Sequence, residues 1–405
     1  MTLLEKLLSK GYFPKEALPP FSTEKYARAI VNGYDNLPQL FRTGKFISKC
    51  AIHNISRKGT LRRKLGIPNP INFFRLSEAI TENWYDIYEC ASESTISLTT
   101  PDPASNGGRA FNPKHSLNEL PDIHAKLRSK HKYILKTDIS RFYHSTEIIQ
   151  LPIEFEPLAI SELRAFSFRD TAGGQKSDLM HYFNIAFKAA KDLPTEPILK
   201  YAVSRTFEVN VTAENYPVFE NFILQCVTAD SSTLKYTVNQ LIKYKRIGYV
   251  QNVENISHIL RQLAITESSL GHGHEVAYCL WLYLILRIPI PEVVVKNVVP
   301  MRDPFVAILL CDCRQKNLMT FIPDFSIYEQ MMVMEELSGD MWIFVYEMLA
   351  KGWFQPLSNQ NPISQNECYR FLLNSGVFFY NEHLSLTIMA ESPIDTDGSA
   401  EGFSG

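Results

Sequence analysis

The sequence predicts an α+β chain in two unlike parts, a mixed and basic N-terminal part followed by a mainly α-helical, acidic C-terminal part. Three observations predict this. Apolar residues recur at helical spacing near the N-terminus and through most of the chain after residue 162. One β-rich run with alternating character occupies residues 133–139. Charge is also divided: residues 1–145 carry 22 Lys+Arg against 13 Asp+Glu, a net +9, while the remainder carries 19 against 30, a net −11.

With 405 residues and 45% hydrophobic content, the chain is long enough for two or three packed domains. Its first residues, Met1 to Leu8, interleave acid and base with leucines at helical spacing. That pattern predicts an amphipathic helix over 1–10 and lacks the apolar core of a signal peptide. Pro19 and Pro20 separate it from a second helix over 23–34, for which Ser22 or Thr23 is a suitable N-cap. Residues 65–70, Leu-Gly-Ile-Pro-Asn-Pro, cannot be helical because two prolines remove donors and fix φ. A helix resumes over about 73–89. Residues 99–113, rich in turn formers, read as a loop that presents Arg109, and the run 133–139 reads as a strand carrying Asp138 near its end.

Beyond residue 162 the pattern is helical, with breaks near 194–197, 212–217, 252–255, 287–291, 300–304, 323 and 355–364. The most apolar stretch, 276–286, ends at Arg287 and is too short to span a bilayer, so a buried helix is expected and no membrane association. The preceding His272-Gly273-His274-Glu275 reads as a glycine-containing helix start, not as a metal cluster. Seven cysteines without a C-x-x-C pair predict reduced thiols in a cytoplasmic protein. Residues 391–405 have the composition of a disordered tail.

Between Asp35 and Glu78 there is no acid, and nine cations fall there: Arg42, Lys45, Lys49, Arg57, Lys58, Arg62, Arg63, Lys64 and Arg75. Such a stretch suits a polyanion, because each phosphate contact releases condensed counterions. The alternative is a solvated basic surface. Asp138 likewise has two readings, as a turn residue or as a metal ligand at a strand end. As a ligand it needs partners, since two-metal nucleotidyl transfer requires at least two acids.

Several ordered segments resemble bacterial reverse transcriptases of the abortive-infection and defence-associated group. Gly11-Tyr12-Phe13-Pro14-Lys15-Glu16 and Leu18-Pro19-Pro20-Phe21 open the likeness. Arg62-Arg63-Lys64-Leu65-Gly66-Ile67-Pro68-Asn69-Pro70 resembles the first finger motif, Arg109-Ala110 the second, and Lys136-Thr137-Asp138-Ile139-Ser140-Arg141-Phe142-Tyr143 motif A of the palm. The resemblance implies a fingers and partial palm region over 1–145, a linker over 146–160 and a thumb-like helical domain over 161–390. It implies Asp138 as a Mg²⁺ ligand and Tyr143 as the aromatic that discriminates the sugar. Arg62, Arg63, Lys64 and Arg109 would touch nucleotide or nucleic acid.

The family's glycine-bearing motif B and Tyr-x-Asp-Asp hairpin have no counterpart, and the chain contains no Asp-Asp dipeptide. It reads like two ends of such an enzyme joined near Tyr143. Three functions therefore follow as expectations. The first is an RNA-directed DNA polymerase relative of antiviral defence, catalytically impaired by itself, with Mg²⁺ as cofactor if any activity remains. The second is a non-catalytic RNA- or DNA-binding scaffold whose acidic helical part binds another protein. The third is a deletion product with no function of its own.

Overall fold

In the computed structural model, the described residues are 1–14, 17–43, 45–56, 62–93, 100–102, 110–113, 231–243, 256–354 and 361–383, with short helical pieces within 122–129, 198–203 and 221–229. The first helix, α1 (Leu3–Lys6), is capped by Thr2, whose hydroxyl accepts from the Glu5 amide at 3.2 Å, and continues as a π-turn through Gly11. After α2 (Glu24–Asn32) and α3 (Gln39–Arg42) come two strands, β1 (Ala51–Ser56) and β2 (Arg62–Ile67). They pair antiparallel with Ala51 opposite Ile67 and Asn54 opposite Lys64. β1 is an element the sequence reading missed, although Ala51, His53 and Ile55 alternate with Ile52 and Asn54 as a half-buried strand requires.

The helix expected over 73–89 is two helices, α4 (Pro70–Glu82) and α5 (Trp84–Glu93), interrupted at Asn83. It starts earlier than expected because Asn69 is an N-cap, accepting from the Ile71 amide at 3.1 Å, and Pro70 takes the first helical position, where no donor is needed. Two very short strands, β3 (Pro101–Asp102) and β4 (Asn112–Pro113), pair across the segment that contains Arg109.

Among the described residues the C-terminal part is helical as expected: α6 (Ser231–Lys243), α7 (Ile256–Ser269), α8 (Gly273–Leu286), α9 (Glu292–Val298), α10 (Pro304–Gln315), α11 (Ser326–Met334), α12 (Trp342–Lys351), α13 (Pro362–Gln365) and α14 (Glu367–Asn374). The run 276–286 lies within α8, every residue of which is buried. Arg287 ends it in a left-handed conformation with φ 52°. A helix apolar on all sides must be enclosed, and α8 packs against α7, α10, α6 and β1. Among the described residues no helix is long and apolar enough to cross a membrane. All seven cysteines are free thiols.

The first hundred residues and the last hundred described ones share one apolar core. Phe21 pairs with Tyr380 as an isolated β-bridge, the Ser22 amide donates to the Phe379 carbonyl at 2.9 Å, and the Asn381 amide donates to Pro20 at 2.7 Å. Around this clasp Tyr12 stacks on Phe73 at 4.3 Å, while Phe379 sits against Tyr12, Tyr26, Trp342 and Tyr346. Aromatic clusters of this kind bury large areas and add edge-to-face attraction.

Glu347 of α12 lies fully buried beneath the clasp, with one oxygen accepting from the Phe379 amide at 2.5 Å. Burial pushes its carboxyl up to about 7, against the partial opposition of Lys351 and the backbone donors. The folded state therefore holds a proton that the unfolded chain releases above its ordinary carboxylate range. Stability from this group is complete below about pH 4.5 and falls as pH rises through 7. Glu347→Gln is expected to flatten that slope, gaining on the order of 1–3 kcal/mol relative to wild type at pH 8 and little at pH 4.5. Denaturant titrations of both proteins at the two pH values check this; an equal difference at both would refute it.

Candidate functional site

The hairpin of β1 and β2 is the element that brings sequence-predicted site residues to the surface. On its inner face His53 is buried and meets two partners from distant parts of the chain. Its Nδ1 is 2.7 Å from Asp303 Oδ2, and its Nε2 is 3.0 Å from His274 Nδ1. A carboxylate accepts, so His53 Nδ1 donates to Asp303, and a single hydrogen bond joins His53 Nε2 to His274 Nδ1.

Asp303 has a second duty as the N-cap of α10. Its Oδ1 accepts from the amides of Phe305 at 3.0 Å and Val306 at 3.2 Å. One carboxylate thus closes a helix and anchors a strand. Its approach to α8 demands glycine at the helix start, because a Cβ on Gly273 would lie 2.0 Å from Asp303 Oδ2. This is the physical reason for the glycine in the 272–275 motif, which begins α8 as expected.

The three cations of the first finger-like motif have different fates. Arg62 lays its guanidinium along Glu275 of α8, with Nη1–Oε1 at 2.7 Å and Nη2–Oε2 at 2.6 Å, and Nη2 also donates to the Asn54 carbonyl at 3.2 Å. The Glu275 side chain is 1% exposed and that of Arg62 21%. Glu275 also occupies the first turn of its helix, where a negative charge is favoured. Arg63 and Lys64, by contrast, are exposed.

The other cations of the basic stretch divide in the same way. Arg75 donates to the carbonyls of Leu40, Phe41 and Thr43, closing the end of α3, and Arg42 donates to the Tyr34 carbonyl. Lys45 and Lys49 are exposed. Among the described residues, then, Arg42, Arg62 and Arg75 make specific contacts with the fold, and the solvent-facing cations of the stretch include Lys45, Lys49, Arg63 and Lys64. Charge counting along the sequence could not separate the two groups.

Beside the hairpin's outer face lies an open cleft of about 360 Å³. Ile52, Asn54 and Lys64 form one wall, the α7–α8 turn with Ser269 and Gly271 another, and Asn297 and Arg302 a third. The Asn54 amide spans it, donating to the Gly271 carbonyl at 2.9 Å. Arg302 is paired with Asp340 at 2.6 Å, an exposed bridge worth little by itself. Lys64 and the Asn54 amide face this cleft, and Asp303, the acid among its described lining residues, is turned toward His53.

Arg109, Asp138 and Tyr143, the remaining sequence-predicted site residues, lie outside the described residues, as do Arg57 and Lys58. The strand expected at 133–139 and the tail 391–405 do as well. The relay of His53, Asp303 and His274 was missed from sequence, since its members are separated by up to 250 positions. The buried parity of His53 within an alternating strand was the only available signal. Compared with protein-family models and with curated proteins, the chain matches none.

Proposed function

We propose that this chain is a nucleic-acid-binding protein of reverse-transcriptase descent, of the bacterial defence-associated kind, which grips an RNA strand by its phosphates and does not extend it unaided. The carrying observation is the hairpin itself: Arg63 and Lys64 face solvent on β2, which Arg62 ties to Glu275 of α8 while His53 ties its partner β1 to Asp303. Fixed cations on a stiff element lose little freedom when they bind, and phosphate contacts position a strand without reading its sequence. Lys45 and Lys49 extend the cationic surface along the chain, and the cleft beside Lys64 gives a phosphate or sugar a place to enter.

Polymerase chemistry fits this chain less well. Of the family's palm ligands the sequence supplies Asp138 of motif A without the Tyr-x-Asp-Asp pair, and one carboxylate is too little charge to hold two Mg²⁺ ions about 4 Å apart. Of this chain's residues, the resemblance would give Mg²⁺ to Asp138 and sugar discrimination to Tyr143.

Salt-titrated binding of a short single-stranded RNA tests the proposal. A linear fall of log affinity with log salt is expected, and Arg63→Ala/Lys64→Ala together should make the slope shallower by roughly 1 to 1.5, about 0.7 per lost contact. A flat salt response, or a slope untouched by the double substitution, would discard it. In the same preparation, primer extension with Mg²⁺ should yield no Asp138-dependent product; such a product would restore the polymerase.

A further inference from the structure

We propose that Glu267, His272 and Glu275 form a binding site for a divalent cation of the zinc class, and that Arg62 competes with the metal for Glu275. The three side chains converge where α7 ends and α8 begins, and one ligating atom from each lies within 4.8 Å of the other two. One imidazole nitrogen and two carboxylate oxygens are a donor set suited to Zn²⁺, with water completing the shell. Donors on a tetrahedral zinc ion stand about 3.3 Å apart, so separations of up to 4.8 Å in the cluster must close and the 2.6 Å contact of His272 with Glu267 must open.

The geometry of each member supports ligation. His272 Nδ1 and Glu267 Oε2 are 2.6 Å apart, so the two donor atoms already face each other across the α7–α8 turn. The side chains of His272 and Glu267 are 22% and 19% exposed, which leaves an entry path, while Glu275 is the buried anchor. Glu267 belongs to the last turn of α7, where a helix favours positive charge, and this offsets the opposing field at the start of α8. The field is anionic at Cys279 below: after burial itself, Glu267 and Glu275 push that thiol's pKa up.

Arg62 is the natural occupant of the cluster's charge. Both of its terminal nitrogens are on Glu275, so a metal must take one carboxylate oxygen and leave Arg62 the other. The tetrapeptide 272–275 is insufficient by itself; Glu267, from the preceding helix, completes the set.

Isothermal titration of the full chain with Zn²⁺, and the visible spectrum of the Co²⁺ form, test the site without nucleic acid. One cation per chain is expected, with affinity falling at least about tenfold in both Glu267→Gln and His272→Ala. Arg62→Lys, which trades a two-point grip for a single contact, should tighten binding several-fold. The His272→Ala protein is checked for folding by circular dichroism, and Glu267→Gln, a conservative change on a partly exposed residue, gives an independent reading. Affinity equal to wild type in both ligand variants overturns the site. Weaker or unchanged affinity in Arg62→Lys overturns the competition.

Discussion

Asp303→Ala is expected to lower stability by about 3 kcal/mol. Two losses add. Removing the cap of α10 leaves the amides of Phe305 and Val306 without their acceptor, a loss of about 1 kcal/mol. Removing the acceptor of His53 leaves a donor buried at the centre of the relay, at a further cost of about 1–3 kcal/mol. Asp303→Asn separates the two, because its amide oxygen still caps the helix while the carboxylate partner of His53 is gone. Its cost should be clearly smaller. Thermal melts would show a drop of roughly 3–5 °C for the alanine variant and a smaller one for asparagine. Equal shifts would mean that the cap contributes nothing and that Asp303 acts only through His53.

A second large effect concerns the ion pair that joins hairpin to helix, and it is asymmetric. Arg62→Met leaves the Glu275 carboxylate buried with its charge uncompensated, a defect that costs about 3–5 kcal/mol; the lower figure is favoured because water can reach the Arg62 side of the pair. Glu275→Gln leaves a guanidinium already partly exposed, which can turn outward, so roughly 1 kcal/mol is expected. The double variant Arg62→Met/Glu275→Leu should recover most of the Arg62→Met loss, since a packed apolar pair replaces a buried charge pair with little net change. A double-mutant cycle by urea denaturation measures this, and simple additivity would show the pair to be uncoupled. The same comparison bears on function. Loss of RNA affinity in Glu275→Gln would mean that the pair serves to hold Arg63 and Lys64 in place, not merely to stabilise the fold.

Residues whose roles follow from local chemistry were the legible ones. The apolar run 276–286 predicted a helix enclosed on all sides, and α8 is fully buried. Gly273 read as part of a helix start, and the helix begins there. Asn69 and Pro70 contained the signals for the start of α4, yet the two prolines drew the reading toward an extended segment that ends, in the structure, at Ile67. Asn83 broke a helix that periodicity alone ran through. These are errors of boundary, and each has a residue that accounts for it.

The sequence by itself determined where helices lie, which of them must be buried, and that positive charge gathers in the first part of the chain, because periodicity, caps and charge act over a few neighbours. Only the tertiary structure decided what those charges do. Arg62 and Lys64 stand two positions apart on one strand, yet Arg62 closes on Glu275, 213 positions away, while Lys64 faces solvent. Likewise nothing near Phe21 announces that it will pair with Tyr380. A side chain's partner is chosen by which elements the shared core presses together, and that choice is made across hundreds of residues by packing, beyond the reach of any local pattern.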